Sequence, residues 1–126
     1  MNTMLLKDFY TVDKLENVSE GKYTAVITLN NQHDIFKGHF PGNPVTPGVC
    51  MMQIIKELSQ QIVGSSLFMI SSSNVKFMAL INPEVNPTLK LELEISGDLD
   101  SEIKVKNTTV FEETVALKLT NTYKKA

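Results

Sequence analysis

A segment rich in proline and glycine carries the side chain best suited to proton transfer. Residues 33–53 read HDIFKGHFPGNPVTPGVCMMQ. Imidazole is easily set for proton transfer near neutral pH, and His39 lies inside this segment. Proline fixes φ and glycine permits turns or close backbone approach, so the loop can hold an imidazole still at little entropic cost. The constraining residues are Pro41, Gly42, Pro44, Pro47 and Gly48.

A helix is predicted directly after this loop. Residues 49–63, VCMMQIIKELSQQIV, contain no glycine or proline and place apolar side chains at helical spacing. Pro47 and Gly48 mark the start of the helix, and Gly64 ends it. The first two turns are apolar nearly all round, so we expect the helix to be buried on several sides.

The rest of the chain is rich in predicted strands. Residues 23–30 and 88–95 alternate apolar and polar side chains, as a half-buried strand does. Because one helix must cover the whole sheet, the order predicts an α+β fold in which an antiparallel sheet wraps around one central buried helix. We expect one domain over residues 1–126. Further candidate strands are 9–16, 66–73, 74–81, 101–111 and 114–124, the last two joined by a tight turn at Glu112-Glu113.

Composition argues against several classes of function. A net charge of −2 gives no field that would attract nucleic acid or an anionic membrane. Cys50 is the only cysteine, which favours a reducing compartment, and no apolar stretch approaches the roughly 20 residues of a membrane span. The first residues reach charge too soon for a signal peptide, so we expect a cytoplasmic protein. Two histidines and one cysteine without paired spacing predict no metal site, and His33 is expected at the surface.

The stretch HFPGNPVTPGV, residues 39–49, resembles a known motif. It is similar to the pattern His-Phe-Pro-x-x-Pro-Val-x-Pro-Gly-Val of the 3-hydroxyacyl-[acyl-carrier-protein] dehydratases of the FabZ/FabA type, which have the hot-dog fold. Looser similarity continues over residues 74–83. The similarity weakens before residue 30, where the family's His-Arg-Tyr-Pro-Phe segment is missing. The resemblance implies elimination of water from a (3R)-3-hydroxyacyl thioester to give a trans-2-enoyl thioester, in fatty-acid or related acyl biosynthesis.

The resemblance also implies roles for individual residues. His39 would be the base, and the amides of Gly48 and Val49 would donate to the thioester carbonyl, in agreement with the partial positive charge of a helix N-terminus. Cys50, at the buried helix start, is expected to pack rather than to react. Substrate contacts are expected from Phe40, Pro47, Val49, Met52 and Phe77, with Met51, Phe68, Met69 and Met78 as further apolar walls of the acyl site.

Gln53 departs from the family pattern. The family has Glu or Asp fourteen residues after the motif histidine, and an amide can orient a hydroxyl but has no proton to give. Three explanations stay open. In the first, His39 returns the proton while Gln53 orients the hydroxyl; in the second, a related subunit supplies the acid in a mixed dimer. In the third, the chain binds acyl groups or carrier protein without chemistry, or catalyses another reaction such as thioester hydrolysis. Glu57 lies one turn further along the same helical face and could substitute for the missing acid, but about 6 Å of helix rise separates it from Gln53. It is therefore interpreted as a solvated or paired residue beside Lys56.

The partners follow from the same resemblance. An acidic acyl carrier protein would deliver the substrate on its phosphopantetheine arm, with no other cofactor, and Lys37 and Lys76 are expected to meet its negative charge. A long sheet leaves an edge through which two copies can associate. We therefore expect a homodimer, with a trimer of dimers as a possible higher assembly.

Overall fold

A computed structural model describes residues 8–37 and 45–126, and the alternating segments form an antiparallel sheet there. The order of strands across the sheet is β1-β2-β4-β5-β6-β3. The strands are β1 Tyr10–Ser19, β2 Lys22–Leu29, β3 Leu67–Phe77, β4 Thr88–Gly97, β5 Ile103–Phe111 and β6 Thr114–Lys125, and the helices are α1 Asp34–Lys37 and α2 Gly48–Val63. An antiparallel sheet with a central helix confirms the predicted α+β class.

Strand alternation selects the face of the sheet that meets α2. Leu89, Leu91 and Leu93 of β4 are buried, while the residues between them are exposed. Leu91 lies opposite Ala25 of β2, and directly opposed residues share a face. These side chains join one hydrophobic cluster with the buried apolar residues of α2, which are Cys50, Met51, Ile54, Ile55 and Leu58.

The bounds of α2 agree with the sequence, but its burial does not. Pro47 precedes the first turn, and Gly64 ends the helix at φ 72°, a left-handed conformation that glycine adopts without a steric cost. The expectation that the helix is buried on several sides is wrong within one chain. Val49 is 74% exposed, and Met52 is only half-buried. Only one face of the helix meets the sheet, so the apolar first turns leave a second face uncovered.

One strand takes the place of two predicted strands after α2. The candidates at 66–73 and 74–81 are a single strand, β3, with register shifts between Met69 and Ser71 and between Ser73 and Lys76. Asn74 adopts φ 53°, a left-handed conformation that asparagine tolerates, so the strand is bulged there without ending. Residues 78–81 have left the strand. The two-residue turn at Glu112-Glu113 is confirmed, and α1 was not predicted.

The edges of the sheet are β1 and β3. β3 exposes an unusual number of large apolar side chains: Phe68, Met69, Ile70, Val75 and Phe77 are between 39% and 56% exposed. Across residues 8–37 and 45–126, no helix combines the length and the apolar character that a membrane crossing requires.

Candidate functional site

An apolar groove opens at the start of α2. It has a volume of about 380 Å³ and is called the α2 groove below. The N–H of Thr46 donates to the carbonyl of Ile81 at 2.8 Å, which ties the two walls together. The groove is lined by Val45, Thr46, Pro47, Gly48, Met51, Phe77, Met78, Ala79, Leu80 and Ile81.

The first turn of α2 borders this groove through Gly48, whereas Val49, which was expected to contact substrate, is exposed and is not part of the lining. Pro47 takes an extended conformation, and no side chain of the described residues caps the helix. The N–H groups of Cys50 and Met51 donate to the carbonyl of Pro47 at 3.0 and 3.3 Å. The amides of Gly48 and Val49 come earlier in the turn, where a helix offers no carbonyl four residues back. They lie at the helix end that carries a partial positive charge, which suits a carbonyl that gains negative charge.

Phe77 lies directly against Gly48. A Cβ atom built on Gly48 would come within 2.7 Å of the ring carbon Cζ of Phe77, so only glycine permits this contact as it stands. The ring is 56% exposed and forms one wall of the α2 groove. Pro47, Gly48 and Phe77, which the sequence analysis assigned to one site, all line the α2 groove.

Other predicted wall residues divide into two groups. Met51 and Met78 line the α2 groove, whereas Met52 is half-buried on α2 and is not part of the lining. Phe68 and Met69 are at the far end of β3, opposite the C-terminal part of β6. That placement corrects the expectation that they line the same slot, because Phe68 and Met69 lie nine and eight positions along β3 from Phe77. His39 and Phe40 lie outside the described residues.

Gln53 contacts Glu57 on the same face of α2. Its Nε2 donates to Oε2 of Glu57 at 2.9 Å, and the hydroxyl of Tyr10 donates to Oε1 of Glu57 at 2.7 Å. All three side chains are half-buried. Glu57 is therefore a paired residue, as one of the two sequence interpretations had it, but its partners are Tyr10 and Gln53.

Tyr10 was missed by the sequence analysis. Burial, followed by the hydrogen bond to Glu57, raises the pKa of its phenol above the ordinary range, so the hydroxyl stays protonated and remains a donor. The predicted strand at 9–16 contained this residue. Nothing in the sequence signalled that its side chain reaches α2, because 47 positions separate Tyr10 from Glu57.

Cys50 and His33 both pack against other parts of the protein. Cys50 is buried, and burial raises the pKa of its thiol, so it packs in the core rather than serving as a thiolate. His33 is half-buried rather than at the surface. Its ring packs edge-on against Phe9 at 5.2 Å, and its Nδ1 accepts the N–H of Ile35. Within the described ranges, no three His, Cys, Asp or Glu side chains are grouped to hold a metal.

Lys76 lies on the opposite face of the sheet from the α2 groove. It pairs with exposed Lys118, whereas the next residue, Phe77, pairs with buried Leu117. Lys76, Lys106 and Lys118 line a shallow groove of about 300 Å³ on that outer face. Lys106 and Lys118 were not singled out by the sequence. Lys37 is the last residue of α1, and its side chain lies outside the described part of the chain.

The ApeI-like family model, described as ApeI dehydratase, matches residues 15–116. The 3-hydroxyacyl-[acyl-carrier-protein] dehydratase FabZ of Clostridium perfringens (strain SM101 / Type A) is 31% identical over 94 residues, covering 69% of this chain and 66% of that protein. The FabZ of Lactobacillus helveticus (strain DPC 4571) is 28% identical over 115 residues, covering 83% and 75%. The match to the clostridial protein thus spans about two thirds of its length.

Solved structures share the fold at low sequence identity. The dehydratase heterocomplex ApeI:P from Xenorhabdus doucetiae matches with a TM-score of 0.74 at 20% identity, over 91% of this chain and 97% of that chain. A hypothetical thioesterase with coenzyme A from Streptococcus pneumoniae TIGR4 matches with a TM-score of 0.68 at 14% identity, over 96% and 90%. These two structures support the fold alone.

Proposed function

Because this chain belongs to the ApeI-like dehydratase family, we propose that it eliminates water from a 3-hydroxyacyl thioester to give a trans-2-enoyl thioester. One observation carries the proposal. The first turn of α2 borders an apolar groove through Gly48, and it does so directly after the segment that contains His39. A thioester carbonyl at the helix end and an acyl chain along the apolar walls would use both features.

The reaction follows from the chemistry of these groups. His39 removes a proton from C2, and the amides of Gly48 and Val49 donate to the carbonyl oxygen as enolate character develops. The C3–O bond then breaks while the C2–C3 double bond forms. The departing oxygen takes the proton held by His39 and leaves as water. Atoms and charge balance without another cofactor, since the carrier's phosphopantetheine arm is part of the substrate.

Gln53 sets the expected rate. Without a titratable group it orients the hydroxyl but donates no proton to it. General acid catalysis is typically worth about 10²–10⁴-fold, so we expect slower dehydration than in relatives that carry a carboxyl at this position. His39 then serves as both base and acid.

Association through β3 is part of the proposal. β3 is a sheet edge with a row of exposed apolar side chains, and Val49 and Met52 leave the neighbouring face of α2 uncovered. Exposed apolar edges of this kind favour pairing with a second chain. We expect a homodimer by sedimentation equilibrium. Ile70→Lys should reduce the mass to that of a monomer, whereas Val18→Lys on the opposite edge, β1, should leave it unchanged.

The carrier protein is expected to meet the outer-face lysines. Lys76 is adjacent in sequence to Phe77 of the α2 groove, and Lys106 and Lys118 extend its positive charge. If an acidic carrier contacts this surface, Lys76→Glu raises KM for a carrier-bound substrate several-fold but not for a small pantetheine thioester. Lys14→Glu on β1 is the matched control. Equal effects on both substrates would contradict this docking surface. Lys37 remains a second predicted contact.

The activity is tested by incubating the purified protein with a 3-hydroxyacyl carrier-protein thioester. The enoyl product and free thiol are followed together. We expect enoyl product that disappears with His39→Ala and persists with His33→Asn, since an asparagine oxygen can still accept the N–H of Ile35. Thiol release without enoyl product would indicate hydrolysis and refute the dehydratase proposal.

A mixed dimer is the second candidate. Gln53 supports it, because a second subunit with a carboxyl at this position would supply the missing proton. The structural neighbour from Xenorhabdus doucetiae is itself a dehydratase heterocomplex. This candidate predicts a wild-type protein that is inert alone and becomes active when a related hot-dog subunit is added. A noncatalytic protein that binds acyl groups or carrier protein would stay inert in both conditions.

A further inference from the structure

Thr46 carries a buried hydroxyl in the wall of the α2 groove. The residue is 6% exposed, and its Oγ1 atom is hidden from solvent. Within residues 8–37 and 45–126, no group forms a hydrogen bond with this oxygen. A buried hydroxyl without a partner has lost its water and gained nothing in return, which destabilises the folded chain. Such a group in a binding groove therefore points to a ligand that supplies the partner.

A second buried threonine shows the usual arrangement. Thr109 of β5 is fully buried, and its Oγ1 accepts an N–H of Asn107 at 2.9 Å. In Thr46 it is the backbone that is bonded, since its N–H donates to the carbonyl of Ile81 at 2.8 Å. The main chain at Thr46 is thus held in place, while no hydrogen bond from the described residues holds its side chain.

Rotation about χ1 gives the Thr46 hydroxyl access to the groove. Threonine carries a methyl and a hydroxyl group on one Cβ atom, and a turn between staggered rotamers exchanges their positions. Because Oγ1 has no partner in the described part of the chain, this turn breaks no hydrogen bond there. A polar group of a ligand in the groove can then pair with Oγ1, which both donates and accepts.

The other walls of the groove select the chemistry of that ligand. Of the described side chains in the lining, only that of Thr46 carries a hydroxyl, and the others are apolar, such as Met51, Phe77 and Leu80. A plain alkyl chain would fill these walls but would leave Oγ1 unpaired. An oxygen on the chain would lose its hydration in such a groove unless Thr46 bonded to it.

We propose that Thr46 is a specificity-determining residue of the α2 groove, and that the groove takes an acyl chain with one oxygen substituent beyond C3, which hydrogen-bonds to Oγ1. This inference rests on the proposed function to the extent that an acyl group occupies the groove. It needs no chemical step, so binding alone can test it.

The test compares octanoyl pantetheine with isomeric probes that carry a single hydroxyl at successive carbons beyond C3. These probes have no 3-hydroxyl and cannot be dehydrated, so calorimetric titration of the wild-type protein gives a Kd for each. We expect at least one hydroxylated isomer to bind as tightly as octanoyl pantetheine or more tightly. Thr46→Val should raise the Kd of that isomer about three- to tenfold, the range of one neutral hydrogen bond, and change the Kd of octanoyl pantetheine less than about twofold.

Two variants and one stability measurement separate recognition from a structural role. Thr46→Ser keeps the hydroxyl and should retain the preference for the hydroxylated isomer. Thr46→Val should unfold at a urea concentration equal to or above that of wild type, because it removes an unpaired buried hydroxyl. Thr109→Val removes the acceptor of Asn107 instead. It should unfold at a lower urea concentration and leave the ratio of the two Kd values unchanged.

Each outcome decides between the proposals. If every hydroxylated isomer binds more weakly than octanoyl pantetheine, and by the same factor in wild type and Thr46→Val, the specificity role is refuted. A Thr46→Val protein that fails to fold, or that unfolds at a lower urea concentration than wild type, would show that the hydroxyl has a structural partner and would refute it as well. If no acyl pantetheine binds, both the acyl groove and the specificity role fail. If the preference is found but no enoyl product forms in the dehydration assay, the specificity role stands and the dehydratase proposal fails.

Discussion

Gln53→Glu is the substitution that restores the residue type of the FabZ/FabA motif, and the structure predicts an unusual result for it. The new carboxyl would replace the amide nitrogen that lies 2.9 Å from Oε2 of Glu57. Two carboxylates cannot both ionise cheaply at this separation, so they share one proton. The variant therefore gains a carboxyl group whose pKa is raised.

The size of this rise in pKa follows from the distance between the two carboxylates. Two unit charges about 3 Å apart repel by about 5 kcal/mol at an effective dielectric constant of about 20, which suits half-buried groups. This energy would raise the pKa by about 4, and rotation of the new side chain reduces the rise in pKa to about 2–4. Starting from an ordinary value of about 4.3, the pKa of the introduced carboxyl should lie at about 6–8.

Stability then depends on pH with a defined sign. Between about pH 4 and the raised pKa, the folded variant binds one proton that its unfolded state has released. Stability falls as pH rises through this window, by at most about 1.4 kcal/mol per pH unit, for a total of about 3–5 kcal/mol relative to wild type. Urea unfolding of both proteins from pH 4 to 8 measures this pH dependence of stability.

The matched control is Gln53→Glu combined with Glu57→Gln. This exchange restores an amide–carboxylate pair, so the added pH dependence should disappear. If the unfolding free energies of Gln53→Glu and wild type run parallel from pH 4 to 8, the contact between positions 53 and 57 is absent, and the reasoning fails. Dehydration by Gln53→Glu should exceed that of wild type below the raised pKa, where position 53 holds a proton to donate.

Three further predictions test the site. Gly48→Ala should displace the exposed end of the Phe77 ring with a stability change within about 1 kcal/mol, because the helix gains about as much from alanine. Its KM should rise, and adding Phe77→Leu should restore KM; an unaltered KM in the single variant would contradict the close contact. Tyr10→Phe should lose about 1–2 kcal/mol in urea unfolding, since it deprives a half-buried carboxylate of a donor. Cys50 should react with iodoacetamide at pH 7.5 at least about tenfold more slowly than in urea, because burial hides the thiol and raises its pKa; equal rates would place it outside the core.

Local patterns in the sequence were enough to predict most of the elements. The period of two in β4 and the glycine-bounded run of α2 gave both elements with bounds within a few residues, because backbone geometry and alternating burial leave a direct trace in residue types. β3 was divided wrongly. A bulge at Asn74 lets one strand continue through a local irregularity, and whether it does so depends on pairing with β6.

The candidate site divides in the same way. The motif from His39 to Val49 predicted a helix start next to Pro47 and Gly48, since short-range constraints on φ determine where a helix begins. The family resemblance assigned Phe77 and Gly48 to one site but did not predict that they touch. The distance between these two residues, and the position of Phe68 at the far end of β3, depend on how the strand lies over α2.

The sequence by itself determined the fold class, the bounds of α2 and the amide at position 53. Only the tertiary structure decided that Tyr10 holds Glu57 and that Glu57 in turn holds Gln53. The spacing of Gln53 and Glu57 placed them on one helical face, but it did not supply the donor on the other side of the carboxylate. That donor comes from a strand 47 positions away in the chain, and such a contact arises from the packing of β1 against α2 rather than from any local preference of the residues.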